Sequence, residues 1–185
     1  MEKKYRLLEN DTKKVNGKTL YRIEALRDFA DVQKGNKGGY VESEENLSHE
    51  GNCWVYDNAW VYDNAWVSGD AWVYGNARVY GNARVSGDVR VFGNTWVSGY
   101  AEVYGDARIR DTADYYVGKN VWSSGRYFTY TRSNKMWKVS CFYGTGEELI
   151  AKAYRDSEVS GREYERVVRY VEAMYADLGN DESKC

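Results

Sequence analysis

A six-residue phrase repeats almost without change along residues 51–113, and its period limits what the chain can fold into. Valine occupies every sixth position from Val55 to Val103, Ile109 continues the series, and a small residue stands two positions before each of them. A helix cannot use this period, because six steps of about 100° place each valine roughly 120° away from the one before. A continuous strand is also excluded, because each unit contains a turn-forming pair such as Gly-Asn or Asp-Asn.

The structure that remains is a short strand followed by a corner, repeated along the chain. Strand alternation points each valine inward and its two neighbours outward, while glycine and asparagine supply the positive φ angles that a corner needs. Three sides close a triangle, so one coil takes eighteen residues and each valine stacks on the valine of the next coil. About ten units therefore predict a triangular parallel β-helix of about three coils over residues 51–116, which needs a cap at its ends.

The phrase Val-Tyr-Gly-Asn-Ala, at residues 73–77 and again at 79–83, resembles the hexapeptide-repeat, left-handed parallel β-helix proteins of bacteria and their phages. The resemblance implies a left-handed coil; in this family trimers are frequent and many members are acyltransferases. Residues 22–52 resemble the leader that precedes such repeats in a bacterial transferase-like group. Residues 139–148 resemble small C-terminal domains of phage and prophage proteins, and this second resemblance implies no chemistry.

Four segments flank the repeats in the predicted domain organisation. Residues 1–50 form an N-terminal β cap, residues 117–125 a linker, residues 126–178 a C-terminal ββαα module and residues 179–185 a disordered tail. The predicted fold class is therefore mostly β, with the two helices confined to the C-terminal module.

In the cap, two strands are predicted at residues 5–8 and 20–23, on either side of the turn signal Asn16-Gly17. The interval between these strands predicts a connection longer than the tightest hairpins. Because residues 1–50 do not follow the six-residue phase, we expect the cap to cover the first coil rather than to form part of it.

In the C-terminal module, a hairpin is predicted around Ser133-Asn134. Thr145 and Glu148 have the spacing of a capping box, which predicts a helix at about residues 146–156. A second helix is predicted at about residues 161–178, where apolar residues follow helical spacing.

Composition excludes several classes of function. The net charge of −2 argues against general nucleic-acid binding. No apolar run reaches membrane-spanning length and no signal peptide is evident, so we expect a soluble protein of the cytoplasm, or of the host cytoplasm if a phage encodes it. Cys53 and Cys141 are interpreted as small core residues and Cys185 as a tail thiol; no Cys/His spacing predicts a metal, and no cofactor is expected.

The outward residues of the repeats sort into three faces of unequal chemistry. Face one carries Trp54, Trp72, Arg90 and Arg108 in one ladder and Tyr56, Tyr74, Phe92 and Arg110 in the next. Face two carries Trp60, Arg78 and Trp96 beside Tyr62, Tyr80 and Ser98, and face three carries Trp66, Arg84 and Glu102 beside Ser68, Ser86 and Tyr104. Face one is thus aromatic at its N-terminal end and cationic at its C-terminal end.

Exposed aromatic ladders on a soluble protein indicate an interaction surface, and two interpretations stay open. One is the interface of a homo-oligomer, most simply a trimer, since interfaces are enriched in Trp, Tyr and Arg. The other is a ligand groove between subunits, where aromatic rings stack on planar ligands and arginines bind phosphates. The predicted ligand-binding residues are Trp54, Tyr56, Trp72, Tyr74, Arg78, Arg84, Arg90, Phe92, Arg108 and Arg110.

His49 is the only histidine and the one candidate for catalysis. The resemblance implies that an acyltransferase of this kind would use a single histidine as a general base, in a groove between subunits. His49 lies in the leader rather than in the repeats, and no neighbouring acid can be assigned to it from the sequence.

Three functions follow, and we rank them by the residue types available. The first is a non-catalytic binding protein of phage or prophage origin that captures a ligand, with a nucleotide-type signal of host defence as the specific hypothesis. The second is a structural scaffold or a binder of a host protein. The third is an acyltransferase-like enzyme that uses His49. Catalysis ranks last because the sequence offers no nucleophile–base pair, carboxylate dyad or metal cluster.

Overall fold

The structure is a computed structural model that describes residues 2–181 and separates into two units at Asp114 and Tyr115. The first unit contains the cap and the repeats, and the second contains a sheet followed by two helices. The predicted boundaries at residues 116 and 126 are therefore wrong, because the sheet of the second unit already begins at Tyr115.

The N-terminal cap is a hairpin with a third strand. Strands β1 (Tyr5–Val15) and β2 (Lys18–Ala25) pair antiparallel, and β3 (Lys37–Val41) pairs antiparallel with β2. Asn16 and Gly17 have φ angles of 49° and 80°, as a two-residue type I′ turn requires. The hairpin is therefore of the tightest kind, and the prediction of a longer connection is wrong because β1 continues well beyond residue 8.

The repeats form ten two-residue strands, one in each unit, and the pairing follows the predicted eighteen-residue spacing. They are β4 (Trp54–Val55), β5 (Trp60–Val61), β6 (Trp66–Val67), β7 (Trp72–Val73), β8 (Arg78–Val79), β9 (Arg84–Val85), β10 (Arg90–Val91), β11 (Trp96–Val97), β12 (Glu102–Val103) and β13 (Arg108–Ile109). The three stacks run β4-β7-β10-β13, β5-β8-β11 and β6-β9-β12, all parallel. Every inward valine and Ile109 is fully buried, so the predicted core of a triangular β-solenoid is confirmed.

The leader contributes two sides of the first coil that the six-residue count does not reveal. Strand β3 pairs parallel with β5, which places Val41 on Val61, and Leu47 forms a parallel bridge to Val67. The solenoid therefore has about four turns instead of about three. The phase is hidden because Leu47 and Val55 are eight residues apart (55 − 47), two more than the repeat allows.

A buried lysine closes this longer first coil. Lys4 is 0% exposed, and its Nζ donates to the carbonyl oxygen of Cys53 at 2.8 Å and to those of Glu50 and Gly51 at 3.4 Å each. Burial lowers the pKa of Lys4, since the charged ammonium is removed from water. Cys53 is buried as predicted, with its Sγ 3.2 Å from the same ammonium.

The corner between faces three and one tolerates only glycine. A Cβ on Gly69 would lie 2.8 Å from the nitrogen of Gly87, and one on Gly87 would lie 2.7 Å from the oxygen of Gly105. The other two corners accept Asp57 and Asp63 at positive φ in one coil. Contact with the next coil, rather than the φ angle alone, therefore fixes glycine at this corner.

The second unit is a four-stranded antiparallel sheet with two helices. Its strands are β14 (Tyr115–Lys119), β15 (Tyr127–Thr131), β16 (Met136–Val139) and β17 (Phe142–Gly144), paired in chain order. Helix α1 (Gly146–Asp156) begins at the predicted capping box of Thr145 and Glu148, and α2 (Glu158–Asp181) follows. The core contains Phe128, Trp137, Leu149, Val168 and Val171.

Three details of this unit differ from the sequence prediction. The module has four strands instead of two, because residues 117–119 of the predicted linker pair with β15. Helix α2 runs to Asp181, into the predicted tail, while residues 182–185 with Cys185 lie outside the described residues. Cys141 is exposed rather than in the core, because β16 ends at Val139 and Cys141 falls in the turn before β17.

We expect Gly69→Ala to destabilise the first unit by about 1–3 kcal/mol more than Gly99→Ala, because only the former must displace backbone of the next coil. Gly99 has a similar φ of 68° but open space where its Cβ would stand, so its cost is the left-handed conformation, about 1–2 kcal/mol. Equilibrium urea unfolding of both variants measures the difference. Equal losses of stability would contradict the proposed role of the coil contact.

Candidate ligand-binding groove

A groove of about 430 Å³ lies on face one of the solenoid. It is lined by Asp31, Tyr56, Asp57, Trp72, Tyr74, Arg90 and Arg108. The outward residues of successive coils follow one another along it, so the repeat itself sets their order: tyrosine and aspartate first, then tryptophan, then the two arginines.

The floor of the groove is a stacked pair of side chains. The guanidinium carbon of Arg90 lies 4.0 Å from the centroid of the Trp72 ring. Its nitrogens donate to the carbonyl oxygens of Asp70 (3.0 Å) and Val89 (3.2 Å) and pair with the carboxylate of Asp88 (2.8 Å). These contacts hold the Arg90 guanidinium against the ring, so the pair offers a stacking surface more than a free cation.

One wall of the groove comes from the leader, far away in sequence. Phe29 and Val32 exchange two backbone hydrogen bonds of 3.0 and 2.8 Å, and the Phe29 ring packs edge-on against Trp54 at 5.2 Å. This tight turn places Asp31 at the groove, where its Oδ1 accepts a hydrogen bond of 2.7 Å from the Tyr56 hydroxyl. Burial, with a smaller contribution from Asp31, raises the pKa of Tyr56, so the phenol stays protonated and remains a donor.

The two ends of the groove differ in charge. Asp31 and Asp57 line one end, and the Oδ2 of Asp57 accepts a hydrogen bond of 3.2 Å from the backbone N–H of Gly75. Arg108, an exposed residue of the last strand, lines the other end. The groove therefore runs from a carboxylate end, over an aromatic floor, to a guanidinium.

The structure brings together half of the predicted ligand-binding residues: Tyr56, Trp72, Tyr74, Arg90 and Arg108 line the groove. Trp54 is placed differently from the prediction of an exposed ring. It is 1% exposed, because the Phe29 and Tyr5 rings of the cap pack against it at 5.2 and 6.1 Å. Its role is to support the wall that carries Asp31.

The other four predicted residues lie apart from the groove. Arg78 stacks between Trp60 and Trp96 on face two, 4.1 and 5.7 Å from their ring centroids. Arg84 lies 5.9 Å from the Trp66 ring on face three. Phe92 stacks on Tyr74 at 5.2 Å without lining the groove, and the backbone N–H of Arg110 donates to Asp114 at 2.7 Å.

Sequence reasoning missed the two acidic residues of the groove. Asp57 had a signal, because it occupies a corner where the later coils have Gly75 and Gly93. The sequence gives no such signal for Asp31, since its position depends on how the leader turns across face one.

His49 has no lone pair available for catalysis in this structure. Its Nδ1 accepts the backbone N–H of Lys4 at 3.2 Å, its ring stacks on Tyr5 at 4.4 Å, and its Nε2 lies 3.6 Å from the Glu44 carboxylate. A neutral imidazole whose Nδ1 accepts carries its proton on Nε2. The Nε2 of His49 is buried without a hydrogen-bond partner among residues 2–181, so His49 joins the cap to the first coil through its Nδ1 hydrogen bond and its stacking on Tyr5.

Residues 2–181 offer neither a cluster of metal ligands nor a membrane-spanning helix. Within that range, no group of three or more His, Cys, Asp or Glu side chains is arranged to hold a metal ion. In the same part of the chain, neither helix combines the length and the apolar character that crossing a membrane requires.

Comparison with known proteins supports the repeat and little beyond it. A family model described as the YdcK beta solenoid repeat matches residues 71–85 and 83–99. The chain is 47% identical over 49 residues to a protein of Escherichia coli K12 named uncharacterized acetyltransferase YdcK. This match covers 26% of the chain and 14% of the relative, so the chain spans about a seventh of the length of the protein that it matches.

We expect Trp54→Ala to destabilise the first unit by about 3–5 kcal/mol, as truncation of a buried tryptophan does. Trp96→Ala is the matched control, because this ring is 49% exposed and its stacking on Arg78 contributes about 1 kcal/mol or less. Urea unfolding followed by circular dichroism measures both. A Trp54→Ala protein as stable as Trp96→Ala would show that the cap does not depend on this ring.

Proposed function

We propose that the chain, a hexapeptide-repeat β-helix protein, is a binding module that captures a small molecule in the groove of face one. The observation that carries the proposal is the arrangement of that groove: an aromatic floor, a guanidinium at one end and a wall from the leader, all in one chain. A nucleotide-type molecule has the matching chemistry, namely a planar ring and an anionic group.

Stacking and charge would supply the affinity. A base stacked on an aromatic platform contributes roughly 1–3 kcal/mol, and the Trp72–Arg90 pair presents such a platform. Arg108 lies two coils beyond Trp72 in the same stack, where a phosphate attached to the stacked ring would arrive. Capture fits better than turnover because the Nδ1 of His49 already accepts the backbone N–H of Lys4 in the cap.

An acyltransferase is the second candidate, favoured by the name of the E. coli relative. Because the chain spans only 14% of that protein, its activity comes to this chain as a hypothesis alone. The hypothesis requires an acyl donor to bind and the Nδ1 of His49 to release the backbone N–H of Lys4.

The remaining parts of the proposal concern biology and assembly. We propose a phage or prophage origin, a cytoplasmic location and a role in sequestering a nucleotide signal of host defence. We also propose a homo-oligomer, most simply a trimer, for which Trp66, Trp96 and Tyr100 supply exposed rings on faces two and three and at the corner between them. A scaffold that binds a host protein would use the same rings. A native mass equal to one chain would remove the oligomer from this proposal.

We expect calorimetry of the purified protein to detect binding of one or more of ADP, ADP-ribose and cyclic dinucleotides. Arg108→Ala and Trp72→Ala should each weaken that binding by roughly tenfold or more, since each removes one contact of about 1–3 kcal/mol. Arg84→Ala, which removes an arginine stacked on face three, is the matched control and should leave the affinity unchanged.

Two results would count against capture in this groove. One is the absence of heat with every nucleotide in the set, together with a native mass that shows no retained ligand. The other is an equal loss of affinity in Arg84→Ala and Arg108→Ala, which would place the site elsewhere on the solenoid.

We expect His49→Gln to leave acetyl-CoA hydrolysis and transfer at the background level of the unmodified protein, because His49 has a structural role. Its stability should fall, since the variant loses the ring that stacks on Tyr5. A thiol-release assay with acetyl-CoA measures the first effect and thermal unfolding the second. Turnover in the unmodified protein that disappears in His49→Gln would favour the enzyme instead.

A further inference from the structure

The opposite charges at the two ends of the groove limit what a bound molecule can present at each end. Asp31 and Asp57 line the N-terminal end and Arg108 the C-terminal end. Asp57 follows β4, and Arg108 begins β13, three coils further along the same stack. At ~4.8 Å for each coil, the two ends lie about 14 Å apart along the solenoid axis.

The side chains at the N-terminal end accept hydrogen bonds and offer none to a ligand. The Oδ1 of Asp31 already accepts the Tyr56 hydroxyl, and the Oδ2 of Asp57 accepts the backbone N–H of Gly75. The second oxygen of each carboxylate receives no hydrogen bond from residues 2–181. Ionised carboxylates only accept, and the one hydroxyl beside them is already donating. A ligand therefore needs N–H or O–H groups at this end.

The middle of the groove accepts a flat ring. The Trp72–Arg90 pair lies between the two ends, and the donors of Arg90 are used by Asp70, Val89 and Asp88. What remains available there is the planar surface, which discriminates little between bases because each base has a π face.

We infer that the groove binds an amino-substituted nucleotide in one orientation: its exocyclic amine at Asp31 and Asp57, its ring on the Trp72–Arg90 pair and its phosphates at Arg108. The inference rests on the proposed function and adds the class and direction of the ligand. In an adenine nucleotide the amine, ring, sugar and phosphates follow one another in this order. A keto oxygen in place of the amine would face two carboxylates and lose the hydrogen bonds.

ADP and inosine diphosphate test the carboxylate end, because they differ in an amino group against a keto oxygen. The unmodified protein should bind ADP roughly ten- to hundredfold more tightly than inosine diphosphate, as hydrogen bonds to charged groups imply. Asp31→Asn presents an amide donor and should abolish or invert this preference. Tyr56→Phe keeps the Asp31 carboxylate and should preserve the preference for ADP over inosine diphosphate. It is a second variant for the case that Asp31→Asn disturbs the leader turn that carries Asp31.

ADP and adenosine test the arginine end in the same calorimetric assay. Arg108→Ala should abolish the advantage of ADP over adenosine while the advantage of ADP over inosine diphosphate persists. Glu9→Gln, a change of an exposed carboxylate on the cap hairpin, is the matched control and should alter neither ratio. Circular dichroism of each variant establishes that it is folded.

The outcomes separate this inference from the proposed function. Equal affinity of the unmodified protein for ADP and inosine diphosphate overturns the orientation and leaves nucleotide capture standing. The orientation is also overturned, with nucleotide capture left standing, if Asp31→Asn and Arg108→Ala have the same effect on the two affinity ratios, ADP over inosine diphosphate and ADP over adenosine. Failure of ADP to bind overturns the inference even where another nucleotide binds, and failure of every nucleotide overturns both.

Discussion

Stacking of the inward valines from coil to coil is the interaction on which the rest of the first unit depends. Each of these side chains is fully buried, and burial of a valine contributes roughly 1.5–3 kcal/mol. The backbone follows the same spacing, with Trp54 N–H donating to Ala71 and Tyr56 N–H to Val73. Valine burial and the backbone hydrogen bonds both repeat every eighteen residues, so together they fix the winding of the coil. The winding then fixes which outward side chains become neighbours.

Most outward neighbours interact with each other before they meet any ligand. Arg78 and Arg90 stack on tryptophans of the preceding coil, and Tyr62 stacks on Tyr80 at 5.2 Å. Cation–π attraction of this kind holds each guanidinium against a ring. On face one, the Arg90 guanidinium is therefore part of the aromatic ladder.

The leader converts one side of this column into a groove. Its two sides pair with the repeats through β3 and Leu47, which fixes the register of the cap on the solenoid. Phe29 on Trp54 then positions the turn that carries Asp31. Without this turn the aromatic floor would have no wall from the leader, and the carboxylate end would consist of Asp57 alone.

The sequence by itself determined the eighteen-residue triangle, the buried valines, the hairpin of the cap, the capping box at Thr145 and five of the six groove residues that belong to the repeats. These features depend on local periodicity and on short motifs, which are visible in any window of the chain. Only the tertiary structure decided that the leader adds two sides to the first coil, that Trp54 is buried and that Asp31 contacts Tyr56. Asp31 and Tyr56 are 25 residues apart, and the two additional residues before Val55 break the phase, so no periodic signal connects the leader to the face that it covers.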